Sequence, residues 1–437
     1  MPLPTAAARR NRTAFARNTL LVAAIRYGRS IRRWCGLFGV GGGHGLRAGA
    51  NCQETRSTPN LTTLRHDERH RSARRPCGLL SPALPLPSCP LPSFPLPFAS
   101  TRLDATDVST MKVLVAGGAG FIGSHFVRLL HDQGIDVSVV DDLSAGHQDS
   151  LPASVPFVRA DVGDSETMRS VLADFEPFAV VDFAGLIQVG ESMARPDRYF
   201  KVNVAHSLIL LDELIRAGVR AFVYSSTAAV YGNPIRVPID EDHPKAPINP
   251  YGASKLAIEY AALAYAQAFD LRVACLRYFN AAGAHPSGEL DERHSPETHL
   301  IPLAIDAALG KGPALQVFGE DWDTPDGTCL RDYIHVMDLA EAHLQALHAM
   351  HGGEPTLVLN LGTGQGVSVR EVLSAVERVT GCAVPWTLAP RRAGDPPQLV
   401  ASAERAASMI GWRARHTSIE AIVGDAVRAR KRRYGLG

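Results

Sequence analysis

The sequence predicts an α/β protein built on a doubly wound parallel sheet, with a smaller C-terminal α/β part and a disordered N-terminal extension. Three observations carry this reading. From residue 111 onward, short apolar runs rich in β-branched residues alternate with helical patterns. A glycine-rich turn joins the first such run to the first helical pattern. The first 110 residues share neither feature and differ from the remainder in charge.

The extension comes first in the chain. It holds 16 Arg, no Lys and 5 acidic residues, whereas residues 111–437 hold 29 basic and 39 acidic ones, so a net charge of +1 conceals two compositions. It contains GVGGGHG at 39–45 and LPLPSCPLPSFPLP at 84–97. Alternating Leu-Pro favours polyproline II and offers no hydrogen-bond ladder, so the segment reads as disordered. An Arg-rich, acid-poor stretch also suits a transit peptide or a nucleic-acid-binding tail. No aromatic or glycine pattern supports RNA binding, and no nucleic-acid partner is expected. Met111 immediately precedes the first convincing strand and Lys112 is the first lysine. The expectation is therefore that the native protein starts at Met111, which the mass of the intact natural protein would test. No apolar run reaches the ~20 residues of a membrane span, and no membrane association is expected. The seven cysteines show no metal-ligand spacing. They read as free thiols of a reducing, cytoplasmic compartment, and no metal is expected.

The periodic part begins with an apolar run at 112–116, a glycine turn, and a helical pattern at 124–133. The glycines are spaced G-x-x-G-x-x-G at Gly117, Gly120 and Gly123, with Phe121 and Ile122 between the last two. Strand, glycine loop and helix form the context in which such spacing has chemical meaning. Glycine lets the backbone approach a pyrophosphate, and the helix N-terminus turns unpaired N–H groups toward that anion. A second apolar run at 136–140 ends at Asp141-Asp142. A carboxylate there accepts hydrogen bonds from ribose hydroxyls and repels a 2′-phosphate, which favours NAD over NADP. The bland alternative is an Asp capping a loop. Two further parallel strands are expected at 157–161 and 179–184. Asp161 and Val162 fall where adenine would sit, and Phe183, Ala184 and Gly185 where the middle of the dinucleotide would pass.

Another strand, at 221–226, leads into Ser225-Ser226-Thr227, and Tyr251-Gly252-Ala253-Ser254-Lys255 opens a helix running through residue 268. Tyr251 and Lys255 are four apart and share one helix face. A free phenol has a pKa near ~10 and is a poor base at neutral pH. A nearby ammonium and a positive nicotinamide both favour the phenolate. Tyr251 then takes a proton from a sugar hydroxyl while Thr227 holds that hydroxyl in line. A surface pair on a helix is the bland alternative for Tyr-x-x-x-Lys alone.

At this point the motifs AGGAGFIGSH, FAGLIQVGES, SSTAAVYG, NPYGASK, RYFNAAGAHPSGE, RDYIHVMDLA and APRRAGD, in this order, resemble the UDP-glucose 4-epimerase family of extended short-chain dehydrogenase/reductases. The resemblance spans residues 111 to about 412. It implies a Rossmann-type fold that retains NAD and interconverts UDP-galactose and UDP-glucose through a 4-keto sugar. It also implies a homodimer formed through a helix bundle. Tyr251 would be the base, Lys255 its ribose-binding partner and Thr227 the third member of the triad. Ser225, Asn203 and Tyr278 would lie against the cofactor. Asn280, His299, Leu300, Arg331, Arg392 and Asp395 fall where the family binds the UDP moiety. Guanidinium forks suit diphosphate oxygens, although Arg331 and Arg392 could instead pair with Asp332 and Asp395. Ile187 stands where some members carry a lysine, so that contribution must come from elsewhere. Leu399 occupies a position whose bulk affects whether N-acetylated sugars fit, and Leu is intermediate.

The division expected is a cofactor domain at 111–290 and a sugar-nucleotide domain at 291–437, with the chain crossing between them. A strand at 357–361 and a helix at 368–380 belong near the junction. Three rival readings would need other residues. A 4,6-dehydratase needs an Asp-Glu pair after the triad threonine, where this chain has Ala228-Ala229. A UDP-glucuronate 4-epimerase is disfavoured by NPYGASK and AHPSGE. A non-catalytic NAD-binding protein usually lacks the Tyr or Lys that this chain keeps.

Overall fold

The computed structural model describes residues 111–436 apart from 355 and 393. The expectations for the N-terminal extension lie outside the described residues.

The main sheet has seven parallel strands: β1 (Lys112–Ala116), β2 (Asp136–Asp141), β3 (Phe157–Arg159), β4 (Ala179–Asp182), β5 (Ala221–Thr227), β6 (Arg272–Tyr278) and, added at the edge, Thr356–Leu361. Their order is Thr356–Leu361, β6, β5, β4, β1, β2, β3. The winding therefore reverses between β1 and β4. In open α/β sheets, ligands bind outside the carboxyl ends of the strands at such a reversal. This is the doubly wound sheet the sequence predicts.

Apart from the edge strand β3, which is half-buried to exposed, the strands are buried on both faces, which explains their continuous apolar composition. Side chains alternate between two packing centres. Val113 and Val115 face one core, with Phe126 and Leu130 of helix α1 (Phe121–Asp132). Leu114 and Ala116 face the other, with Met168 and Leu172 of α2 (Ser165–Phe175). Beyond β4 come two short helices, α3 (Val189–Ala194) and α4 (Pro196–Tyr199), a π-helical turn at Phe200–His206, and α5 (Ser207–Ala217). Leu210 and Leu214 of α5 join the second core, as do Ile258 and Ala262 of α6 (Pro250–Ala268). Proline at the first position of α6 presents no unsatisfied N–H, and the Asn249 side chain before it accepts from Gly252 N at 2.8 Å.

The later chain contributes to both regions. It runs through β7 (Asn280–Ala282), α7 (Leu300–Ala308), β8 (Leu315–Phe318), β9 (Leu330–Arg331), β10 (Tyr333–His335) and α8 (Val336–His351). The edge strand β11 (Thr356–Leu361) follows, then β12 (Val367–Ser368), α9 (Val369–Thr380), β13 (Trp386–Ala389), β14 (Gln398–Leu399), α10 (Glu404–Ile410) and α11 (Ile419–Arg433). Leu339 and Leu347 of α8, Leu357 and Leu359 of β11 and Trp412 pack in the first core of the main sheet. A separate core joins Ile301 and Ile305 of α7, Val372 and Val376 of α9, and Ile422 and Val427 of α11. Four smaller pairings surround it: β7 with β10, β8 with β13, and β9 between β12 and β14.

Several boundaries differ from the sequence expectation. Helix α1 starts at Phe121, inside the glycine motif, because Gly120 adopts the extended N-cap conformation and the helix follows at once. The strands expected at 157–161 and 179–184 end at Arg159 and Asp182. Asp161 and Asp182 fold their carboxylates back onto the next turn, accepting from Gly163 N at 2.7 Å and Ala184 N at 2.9 Å.

Candidate active site

Backbone geometry defines the cradle at the sheet reversal. Gly117 has φ +70°, and a Cβ there would lie 2.6 Å from Ala184 N and 2.7 Å from the Phe183 carbonyl carbon. A Cβ on Gly123 would lie 2.3 Å from Gly117 O. The glycine spacing thus lets the loops after β1 and β4 touch while α1 starts beneath them. Gly120 offers no side-chain cap, so the first N–H groups of α1 remain available to an anion. These features fit the pyrophosphate of a dinucleotide.

The two acidic candidates after β2 separate. Asp141 is buried and accepts from Ala119 N at 3.0 Å and Leu143 N at 2.8 Å. It braces the glycine loop, and burial raises its carboxyl while those N–H groups oppose the shift. Asp142 is exposed and accepts from Ser144 N at 2.8 Å. Asp161 Oδ1 lies 2.8 Å from His206 Nδ1, and Val162 is buried beside it. Phe183 packs its ring 4.7 Å from that of His343.

Asn203 sits in the π-helical turn with its side chain buried. It accepts from Leu186 N at 2.8 Å, and donates to Leu186 O at 3.0 Å and Ser254 Oγ at 3.1 Å. Its amide therefore clips the loop after β4 to helix α6. Gly185, at φ +147° in that loop, leaves room for it: a Cβ there would stand 3.0 Å from Asn203 Oδ1 and 3.5 Å from Lys255 Nζ.

The triad candidates meet at the end of β5 and the start of α6. Burial raises the Tyr251 phenol, and the Thr227 hydroxyl beside it pulls the other way. Tyr199 packs edge-on to Tyr251 with centroids 6.4 Å apart. The sequence expectation that the Lys255 ammonium steadies a Tyr251 phenolate meets a different arrangement in this structure. Lys255 Nζ donates to Ser225 O at 3.0 Å, lies 4.9 Å from the Tyr224 ring centroid, and interacts with Asp182. Burial lowers the amine to about 8 against the pull of Asp182, and burial raises Asp182 to about 6 against the pull of Lys255. Ser225 Oγ and the Tyr278 hydroxyl are hydrogen-bonded to each other.

A buried network behind these tips carries no motif signature. Arg277 of β6 donates to both oxygens of Glu259, at 2.8 and 2.5 Å, and to Tyr231 Oη at 2.9 Å. Tyr231 donates to Asn360 Oδ1 at 2.7 Å, Asn360 N donates to Glu241 at 2.7 Å, and Ser226 bonds Glu259. It ties the ends of β5, β6 and β11 to α6. Arginine in an apolar strand pattern was the available signal, but its partner lies 18 residues away on a helix.

The nucleotide-sugar candidates lie on the later elements. Arg331 and Leu399 are register partners in adjacent parallel strands. Arg331 donates to Leu330 O at 2.9 Å. Its neighbour Asp332 turns inward and accepts from Thr363 N at 2.8 Å, Gly364 N at 3.0 Å and Ala401 N at 3.1 Å, so the expected alternative of an Arg331–Asp332 pair does not form. Arg392 does approach Asp395, at 3.8 Å, and lies 4.5 Å over the Phe318 ring. Leu399 and Phe279 pack against the cluster that contains Ala228 and Leu256, and Ala228 follows the candidate Thr227 in the chain. Asn280 pairs with Tyr333 between β7 and β10. His299 precedes α7, whose first residue is Leu300. Burial alone would lower the His299 imidazole, but Glu292 and Glu297 outweigh it and push it up to about 10.

Among the described residues, Cys275, Cys329 and Cys382 are free thiols, and no helix is long and apolar enough to cross a membrane.

Known proteins resemble this chain in sequence and fold. The family model described as "NAD dependent epimerase/dehydratase family" matches residues 113–362. A UDP-glucose 4-epimerase of Azospirillum brasilense is 51% identical over 316 residues, which cover 72% of this chain and 91% of that protein. The crystal structure of UDP-glucose 4-epimerase from Brucella ovis in complex with NAD is similar at TM-score 0.71 and 45% identity, over 72% of this chain and 97% of that one. The Bifidobacterium longum enzyme in complex with NAD+ and UDP is similar at TM-score 0.71 and 36% identity, over 75% and 100%. A glycine cradle at the sheet reversal, a Tyr-Lys pair on the helix after the fifth strand, and identity of this extent place the chain in the NAD dependent epimerase/dehydratase family.

Proposed function

We propose that this chain is a UDP-hexose 4-epimerase, inverting C4 of UDP-galactose and UDP-glucose through a 4-keto sugar. The observation that carries the reading is the convergence of Thr227, Tyr251 and Lys255 beside a cradle built for a dinucleotide, in a chain 51% identical to a UDP-glucose 4-epimerase. Ala228-Ala229 after Thr227 lacks the acid–base pair a dehydratase would need.

Gly117, Gly120 and Gly123, with Phe121 and Ile122 in the first turn of α1, would receive the pyrophosphate. Asp142, Asp161 and Val162 would face the adenosine half, with Asp141 bracing the loop. Phe183, Ala184 and Gly185 would pass the middle of the dinucleotide, and Ser225 and Tyr278 would lie against the cofactor, with Asn203 holding the loop after β4. NAD, when bound, supplies the acceptor and donor for the hydrogen on the sugar C4. Tyr251 takes the O4 proton as C4 is oxidised to the ketone and returns it after the sugar has turned. Thr227 keeps the O4 group in line. Lys255 is fixed by Ser225 O and Asp182 where a ribose hydroxyl can reach it. Arg331 and Arg392 grip the diphosphate, while Asn280, His299, Leu300 and Asp395 frame the nucleotide and Leu399 bounds the hexose. A firm grip on UDP with loose sugar contacts allows the keto sugar to present its other face.

On this reading residues 111–290 form the cofactor domain and 291–437 the sugar-nucleotide domain, with α8 and β11 crossing back. A cytoplasmic homodimer is the accompanying expectation, supported by the free thiols and by the family resemblance. A coupled assay tests the reaction. Interconversion of UDP-galactose and UDP-glucose by the purified chain is expected, whereas a 4-keto-6-deoxy product would replace this reading with a dehydratase.

A further inference from the structure

The segment leading into α7 gathers four ligating side chains within eight residues: Glu292, His294, Glu297 and His299. Their nearest ligand atoms lie within 4.8 Å of one another. Glu292 Oε1 is 3.3 Å from His294 Nδ1 and 2.8 Å from His299 Nδ1. Glu297 Oε1 is 3.6 Å from His294 Nδ1 and 3.1 Å from His299 Nδ1. A zinc-like ion holding N and O ligands at ~2.0–2.1 Å in a tetrahedron sets its ligand atoms about 3.3 Å apart. The four measured edges fall around that value.

A second observation concerns two buried atoms of the cluster that lack a hydrogen-bond partner. His294 Nδ1 is buried and makes no hydrogen bond of good geometry, although two carboxylate oxygens flank it. Glu297 Oε2 is likewise buried without a donor, with Arg430 3.9 Å away. Without an ion, His299 Nδ1 is hydrogen-bonded to Glu297 Oε1 at 3.1 Å, and that oxygen also accepts from Thr298 N at 2.8 Å and His299 N at 3.0 Å, so imidazole protons stand between the carboxylates where a cation would replace them. Once both imidazoles have given up their protons to bind a metal, the two carboxylates leave a charge of −2, which a divalent cation neutralises. The surrounding frame is rigid: Arg430 Nη1 donates to Glu292 O at 2.8 Å, and its guanidinium is paired with Asp306 at 2.9 and 3.0 Å.

We propose that Glu292, His294, Glu297 and His299 bind one divalent cation of the zinc class in tetrahedral geometry, clamping the segment that carries His299 and Leu300 into α7. The role is structural, since the four ligands leave no open position. This does not depend on the epimerase reading, because metal binding is read without substrate.

The test uses the full chain, stripped with a chelator, dialysed and titrated with Co(II). One equivalent is expected to bind with the intense visible bands of four-coordinate cobalt, releasing protons from the imidazoles in weak buffer. Sulfur-to-cobalt charge transfer should be absent. Glu292→Gln and His294→Gln should each weaken binding by at least ~100-fold while circular dichroism is unchanged. Weak six-coordinate bands, sulfur charge transfer indicating cysteine ligands, or unchanged binding in both folded variants would each overturn the site. Should neither variant fold, the spectrum of the parent chain decides alone.

Discussion

The two sides of the site are built differently. On the proposed cofactor side, the candidate side chains stand on strand tips and helix starts that are buried and hydrogen-bonded to backbone. Lys255, Asn203 and Asp141 each have their polar atoms engaged by a neighbouring strand or loop. On the nucleotide-sugar side, Arg331, Arg392 and Leu399 sit on two-residue strands and loops, half-buried or exposed, and Arg392 has only a 3.8 Å approach to a carboxylate. One half is preorganised, and the other is left for a charged ligand to order. An enzyme that keeps its cofactor but must let a sugar turn needs this asymmetry, since a rigid sugar pocket would hold one face only.

Breaking the preorganised half should have the largest effects. Tyr251→Phe removes only the proton acceptor, so kcat is expected to fall by ~10²–10⁴ with NAD content unchanged. Turnover near that of the parent would remove Tyr251 from its role. Glu259→Gln leaves the Arg277 guanidinium buried without its charged partner, a loss of ~3–5 kcal/mol that urea denaturation would register. An unchanged midpoint would show that the network behind the strand tips is dispensable.

Loosening the ligand-ordered half should act on binding. Arg331→Met is expected to raise KM for UDP-galactose by ~10–100-fold through loss of charge-assisted bonds of ~1.5–3 kcal/mol, with a smaller change in kcat. A pure kcat loss would move Arg331 out of the UDP grip. Leu399→Ala should favour UDP-N-acetylgalactosamine over UDP-galactose by ~10-fold in kcat/KM, the scale of a few methylenes in a pocket. An unchanged ratio would place the selectivity elsewhere. The smallest expected effect is a pH shift. Asp182 raises the pKa of Lys255, which burial has brought down to about 8. Asp182→Asn should therefore let the ammonium lose its proton at lower pH, moving the alkaline limb of the kcat/KM profile downward. A limb that stays put or moves upward would contradict this coupling.

Local pattern made much of the molecule legible. Strand runs such as 112–116, the glycine spacing and the Tyr-x-x-x-Lys step are short-range features, and short-range geometry follows from covalent structure and periodicity. The family motifs extended this to candidates as far apart as Asn203 and Asp395. Other features were hidden because they depend on residues far apart in the chain. The Arg277–Glu259–Ser226 network joins two strands and a helix. The edge strand β11, expected near the junction, pairs with β6 across some 80 residues of intervening chain. The inward turn of Asp332, which leaves Arg331 without that partner, also appears only in the fold.

By itself, then, the sequence determined the doubly wound α/β architecture, the dinucleotide cradle, and the residue types that stand at its mouth. The architecture rests on the alternation of strand and helix patterns, and the cradle on spacing within a turn or two, where bond geometry leaves few alternatives. Only the tertiary structure decided which way the polar side chains turn: Lys255 toward Ser225 and Asp182, Asn203 toward Leu186, Asp141 toward the glycine loop, and four ligating groups toward one point before α7. A buried polar group must find its partner wherever the packed chain supplies one, and which residue supplies it is settled by packing between distant segments.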